Sequence, residues 1–393
     1  MDGGVFVSPA FESHLRGDGW SKQGVAAAAL KFLLLSEGLR VSPPARARIY
    51  RQAGDPGRPA EPIRTRSGVS GGLDLILERT IFVNAPVKES FADLSSALLD
   101  WDGDYFVQVG SSRFPVSLVP RPSYYGRQLA SGDLMEHIAQ MCSADRLCYS
   151  LTGPTCSFWP EKQRCRYCSI GLNSDADSKR RRIGDLVEVA SEAVSDASRP
   201  ARHVLLGGGT PAVPDMGARL SSRITARLKE ETSIPVYVMI AAPLRDEYID
   251  ELHAVGVDEL GINLEFWEQD SWHKYIPGKE SRIGRARYLD ALRHAAEVFG
   301  PVRSRSILIA GLEPAESTLK AVRRLVDLGV MPIISPFRPL SDTDLQDRKG
   351  FEPEVYQDLY VAAASIAREQ GLPIGPTCGP CKNNVLSLPE EPV

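Results

Sequence analysis

The chain has 393 residues, 43% of them apolar, enough for one large catalytic core with an appended segment or for two domains of ordinary size. Its formal charge of −4 argues against a nucleic-acid partner, because a protein that coats nucleic acid needs a net basic face to displace counterions from phosphates. The N-terminus lacks a basic start followed by an apolar run, and no stretch of about 18 uncharged apolar residues occurs, so a cytoplasmic protein with no membrane partner is expected.

In chain order, residues 1–140 read as a small α+β cap: a helix over 25–39, a Pro/Arg/Gly-rich loop or linker over 43–68, and strands over 73–83, 104–110 and 113–120. A strand-then-helix rhythm follows. Strands are expected over 146–153, 203–208, 234–242, 258–266, 303–311 and 331–337, with helices over 184–196, 216–231, 244–256, 282–300, 315–329 and 353–371. Six such units imply an α/β fold with a parallel sheet and right-handed crossovers, a partial (βα)6 TIM-like barrel. The expected division is 1–140 for the cap, 141–345 for the barrel core, and 346–393 for the last barrel helix and a short C-terminal extension. Chemistry belongs at the C-terminal ends of the strands.

The seven cysteines fall in two clumps, Cys142 to Cys168 and Cys378 with Cys381, a spacing that suits metal ligands or redox groups better than disulfides. Cys156, Cys165 and Cys168, spaced C-x8-C-x2-C, sit in a loop just after the first barrel strand. Three thiolates can hold three irons of a [4Fe–4S] cluster and leave one iron open; a zinc knuckle, or three ordinary thiols, is the plainer alternative, although no fourth ligand lies in this loop. Gly207-Gly208-Gly209-Thr210-Pro211 closes the second strand, where glycines let backbone carbonyls approach a ligand, or simply make a tight turn. Asn263 and Glu265 alternate onto one face at the end of the fourth strand, either as ligand contacts or as a satisfied structural pair. Ile309 and Gly311 lie on the fifth strand, and Phe337 and Arg338 close the sixth.

These features resemble the radical S-adenosylmethionine (SAM) superfamily, over about residues 142–381. The C-x-aromatic-C half of the family's cysteine motif is intact as Cys165-Arg166-Tyr167-Cys168, while the first gap is longer than the common spacing. The resemblance implies a [4Fe–4S] cluster on Cys156, Cys165 and Cys168, and SAM held by Tyr167, Gly207, Gly208, Gly209, Thr210, Asn263, Glu265, Ile309, Gly311, Phe337 and Arg338. Asn263-x-Glu265 and the Ile276-Pro277-Gly278-Lys279 turn look most like the biotin synthase and lipoyl synthase side. The implied activity is reductive cleavage of SAM to a 5′-deoxyadenosyl radical that abstracts hydrogen from a small-molecule substrate in biosynthesis, with a flavodoxin- or ferredoxin-type electron donor. Modification of a peptide or protein is the alternative, as is a non-catalytic iron–sulfur or zinc regulatory protein.

Thr377-Cys378-Gly379-Pro380-Cys381 follows the last helix and is expected near the barrel mouth. Cys378 and Cys381, with Arg338, are therefore candidate catalytic groups beside the substrate. Alternatives are an auxiliary iron–sulfur cluster completed by Cys142 and Cys148, a zinc site on the same four cysteines, or a redox pair.

Overall fold

The computed structural model describes residues 4–52, 72–160, 162–172 and 182–393. Its strands are β1 (Arg40–Val41), β2 (Leu73–Leu77), β3 (Ile81–Ala85), β4 (Ala97–Trp101), β5 (Tyr105–Val109), β6 (Ser112–Leu118), β7 (Gln140–Cys142), β8 (Arg146–Ser150), β9 (His203–Gly207), β10 (Val236–Ile240), β11 (Glu259–Ile262), β12 (Ser304–Ala310) and β13 (Met331–Pro336). One six-stranded sheet runs β1-β4-β5-β6-β2-β3 and a seven-stranded sheet runs β13-β12-β11-β10-β9-β8-β7.

The second sheet is the expected barrel. Its six strands β8 to β13 pair in sequence order, all parallel, and β7 adds an antiparallel edge. Because side chains alternate and register partners share a face, Arg146 and Cys148 lie on the same side as His203, Tyr237 and Glu259. The opposite residues of these strands, such as Val204, Leu206, Val236 and Val238, are fully buried. They pack under the crossover helices, as both-face burial of a parallel sheet requires.

Several expectations for the N-terminal third change. The run 73–83 is a hairpin, not one strand: Glu78 and Arg79 take left-handed φ of 45° and 66° between β2 and β3, and Leu77 pairs with Ile81. The polar trio Glu78-Arg79-Thr80 interrupts the apolar run and makes the turn. Pro43–Gln52 is a helix instead of a loop, begun by the Ser42 hydroxyl, which accepts from the Ala45 amide at 3.2 Å. Residues 53–68 of the expected linker lie outside the described residues.

The N-terminal third shares its core with the barrel. Phe11, Phe32 and Tyr360, from helices Pro9–Gly17, Lys22–Glu37 and Pro353–Glu369, meet edge to face at 5.2–6.0 Å. Lys31 is fully buried, and its Nζ donates to the carbonyls of Lys382 at 2.7 Å and Ser387 at 2.5 Å. Burial holds its pKa well below the usual value. Lys382 in turn donates to Leu388 O at 2.8 Å within the extension, which Lys31 pins against the first long helix.

Asp196 joins the segment entering the barrel to the segment before β9. It accepts from the Ser123 amide and hydroxyl, the Tyr124 amide, both Ser198 donors and the Arg199 amide, at 2.6–3.1 Å. Against the upward push of burial, the donors from Ser123, Ser198 and Arg199 hold its carboxyl well below the ordinary range. A depressed folded pKa contributes stability above the unfolded value of about 3.9, lost as pH falls toward the folded one. Asp196→Asn should therefore cost about 2 kcal/mol at pH 7, and the gap from wild type should shrink on acidification below pH ~4. Urea unfolding at pH 7 and pH 3 measures both; a pH-independent gap would remove this assignment.

Candidate active site

The three cysteines of the C-x8-C-x2-C motif lie in the loop that leaves the C-terminal end of β8. Their thiols are near enough to feel one another's charge: Cys156 and Cys168 both act on Cys165, and Cys156 acts on Cys168. Burial, then Glu265 and the neighbouring thiols, push Cys165 far up against the Lys279 charge; burial and Cys156 take Cys168 up to about 11, the Ile170 backbone opposing. An iron bound by such thiols would displace their protons to solvent, and this convergence of three sulfurs fits a cluster held by three thiolates.

The glycine motif at the end of β9 is built against this loop. The Thr210 amide points at Cys156 Sγ at 3.4 Å, and Thr210 O accepts from the Ser157 amide at 2.7 Å. A Cβ on Gly209 would stand 1.9 Å from Thr155 O, so only glycine admits the cysteine loop at that distance. The other wall is the segment after β11. Arg166 N donates to Tyr275 O at 2.9 Å, Gly278 N to Gln163 O at 3.1 Å, and Arg282 Nη1 to Ser157 O at 3.2 Å.

The Asn263 and Glu265 pair divides. Asn263 Oδ1 accepts from the Ile307 amide at 3.2 Å, tying the end of β11 to β12. Glu265 is buried at left-handed φ of 66°, and its Oε1 takes Lys279 Nζ at 2.7 Å. Burial opposes the Lys279 charge, but Glu265 lifts its pKa well above the usual value. The other carboxylate oxygen, Oε2, is buried without a hydrogen-bond partner. Glu265 sits within electrostatic reach of Cys165, Cys168 and the phenol of Tyr167, whose ring packs edge-on to Phe266 at 6.1 Å. An orphaned carboxylate oxygen beside three thiols leaves room for a donor from a bound molecule, so this pocket also fits SAM. Sequence reasoning noticed Lys279 only as part of a turn; its role follows from its ion pair with Glu265.

The sixth strand end reaches the N-terminal sheet. Arg338 is buried and donates to Asn84 O at 2.9 Å and Asn84 Oδ1 at 3.3 Å, with Asp74 and Glu89 nearby. Burial takes its pKa down to about 10. Nη1 and Nη2 thus join the barrel to β3 of the N-terminal sheet, while the buried Nε has no hydrogen-bond partner. Phe337 is buried in the core. Gly311, at φ of 109°, is where Tyr356 Oη closes in: a Cβ there would stand 2.6 Å away. Ile309 is half-buried, its amide bonded to Glu265 O at 2.9 Å.

Cys378 and Cys381 are corrected. They lie with Asp145, which precedes β8, and His203, which opens β9, at the N-terminal end of the barrel strands. The β8 strand of five residues separates this group from the cysteine loop, on the order of 15 Å, so neither thiol is beside the radical site. The Cys381 thiol is pulled well below its usual range, first by its hydrogen bond with Cys378 and, against burial, by Arg146 and His203. Cys142 and Cys148 do approach them in space: Arg146 feels Cys381, Cys148 and Cys142 together.

Comparison with known proteins points to the same family. Residues 162–330 match the Radical SAM superfamily. That range, less than half of the chain, carries the likeness to the radical SAM superfamily. The matched range contains Cys165 and Cys168 and begins after Cys156. Bacteriochlorophyllide c C-7(1)-hydroxylase of Chlorobaculum limnaeum is 27% identical over 199 residues, 46% of this chain and 50% of that protein, so the chain spans about half the length of the curated relative it matches. Methylornithine synthase resembles this chain at 14% identity and a TM-score of 0.44, over 59% of this chain and 71% of that one. SuiB of Streptococcus suis bound to SAM does so at 12% identity and 0.45, over 59% and 50%. Among the described residues, no helix is long and apolar enough to cross a membrane.

Proposed function

We propose that this chain is a radical SAM enzyme that cleaves SAM at the cysteine loop and abstracts hydrogen from an unactivated carbon of a small organic substrate. The observation that carries the reading is the gathering of three thiols around a buried carboxylate oxygen without a partner, at the C-terminal end of β8. Cys156, Cys165 and Cys168 hold three irons; Gly207 to Thr210, Tyr167 and Glu265 receive the methionine end of SAM, and Ile309 and Gly311 line the adenine side. When bound, cluster and SAM supply one electron and a 5′-deoxyadenosyl radical that takes the hydrogen.

The chain's own residues orient and shield. Lys279 Nζ holds Glu265 Oε1 at 2.7 Å, so the free oxygen of Glu265 meets a donor without reorganisation. Arg164, Arg166, Lys274 and Arg282 surround the cysteine loop, with Asp344 pairing to both Arg164 and Arg166, which leaves a net basic rim suited to an acidic electron carrier of the flavodoxin or ferredoxin type. A small-molecule substrate is supported by the relative that hydroxylates bacteriochlorophyllide c.

The test is anaerobic reconstitution of the full chain with SAM and dithionite, followed by fractions of a cell extract. 5′-Deoxyadenosine formation stimulated by the low-molecular-weight fraction is expected. Stimulation only by the macromolecular fraction would replace this reading with peptide or protein modification, and no SAM cleavage at all would leave a non-catalytic iron–sulfur protein.

A further inference from the structure

The group at the opposite end of the barrel serves no step of that reaction, yet its chemistry is specific. Asp145, His203, Cys378 and Cys381 each offer one ligand atom, and these atoms all lie within 4.8 Å of one another. His203 Nε2 is 3.0 Å from Cys381 Sγ, and Cys378 Sγ is 3.7 Å from both carboxylate oxygens of Asp145. Two atoms bound tetrahedrally to one zinc, at about 2.0–2.3 Å, stand about 3.3–3.8 Å apart. A cluster spreads its ligands over separate irons and needs wider spacing, so this set suits a single ion.

We propose that Asp145, His203, Cys378 and Cys381 bind one zinc ion that closes the N-terminal end of the barrel and staples the C-terminal extension to it. Three independent features support the site. The ligands sit on fixed elements: Arg146 pairs in register with His203, the Arg202 amide donates to Asp145 O at 2.8 Å, and Ser143 Oγ donates to Pro380 O at 2.5 Å. The charge is matched: two thiolates, one carboxylate and a neutral imidazole around Zn²⁺ leave one net negative charge. Beside it lies Arg146, a buried cation with Nε and Nη2 unpartnered and no carboxylate ion pair among the described residues. An entry path exists, because a cleft lined by Arg202, His203, Tyr237, Glu259, Arg305 and Cys378 opens at the group. Binding displaces the remaining thiol protons to solvent and changes no oxidation state.

The site is independent of the radical reaction, so it is tested in the full chain carrying Cys156→Ala, Cys165→Ala and Cys168→Ala, equilibrated with Zn²⁺, desalted, and measured for zinc and iron by plasma mass spectrometry. About one zinc per chain is expected, falling at least about tenfold when Cys378→Ser and Cys381→Ser are added. Because the latter variant can fail to fold, Co²⁺ is also bound to the chain with its Asp145, His203, Cys378 and Cys381 intact. Intense tetrahedral d–d bands with thiolate-to-cobalt charge transfer are expected. No zinc uptake, a cobalt spectrum without charge transfer, or iron near about four per chain with a [4Fe–4S] signal overturns the proposal.

Discussion

Replacing Cys156, Cys165 and Cys168 together by alanine reduces 5′-deoxyadenosine formation to the level of a no-enzyme control, because irons without thiolate ligands are not retained at this site. The reading is chromatographic, after anaerobic reconstitution with SAM and dithionite. The single Cys156→Ala variant is the sharper case. Cys156 lies nine residues before Cys165 and outside the range matched to the superfamily, so its inclusion rests on geometry: its Sγ faces the Thr210 amide at 3.4 Å and acts electrostatically on both other thiols. Loss of the cluster's visible absorption and of SAM cleavage in this variant, with the fold kept by circular dichroism, is the expected result. Wild-type cleavage by Cys156→Ala would remove it from the ligand set.

Lys279→Ala is the substitution with the largest expected effect on stability. It strips the partner from Glu265, whose carboxylate is buried and bonded to Lys279 Nζ at 2.7 Å, and the uncompensated charge should cost about 3–5 kcal/mol. The double variant Lys279→Met with Glu265→Gln removes both charges at similar volume and should recover most of that loss. Denaturant unfolding of the single and double variants separates the two outcomes. SAM affinity gives a second measure. The double variant folds but lacks the charged acceptor, so SAM binding should weaken by about 1.5–3 kcal/mol while iron content is unchanged. A double variant that binds SAM as tightly as wild type would make the pair purely structural.

The barrel was legible because its signals are local. Six apolar strands, each followed by an amphipathic helix, set the order β8 to β13 without reference to any distant contact, and Cys165-Arg166-Tyr167-Cys168 is a motif within four residues. The strand ends that carry glycines were also legible, although Gly311 turns out to accommodate Tyr356, and Asn263 to tie two strands. The N-terminal third was read less well. Its hairpin, its Ser42-capped helix and the short strand β4 depend on pairings between segments tens of residues apart, for which alternation in a run of five residues is weak signal.

By itself the sequence determined the fold class, the likeness to the superfamily and the loop that bears the cysteines, since each depends on periodicity or on spacing along a short stretch of chain. Only the tertiary structure decided what the isolated charges and thiols are for. Lys279 reaches Glu265 across fourteen positions, Arg338 reaches Asn84 across 254, and Cys381 reaches His203 across 178. A lone lysine, arginine or C-x-x-C carries no record of its partner, because the partner is chosen by which strand ends the curled sheet brings together. That packing sends the C-terminal cysteines to the N-terminal end of β8 and β9, away from the cysteine loop near which the sequence alone suggests them.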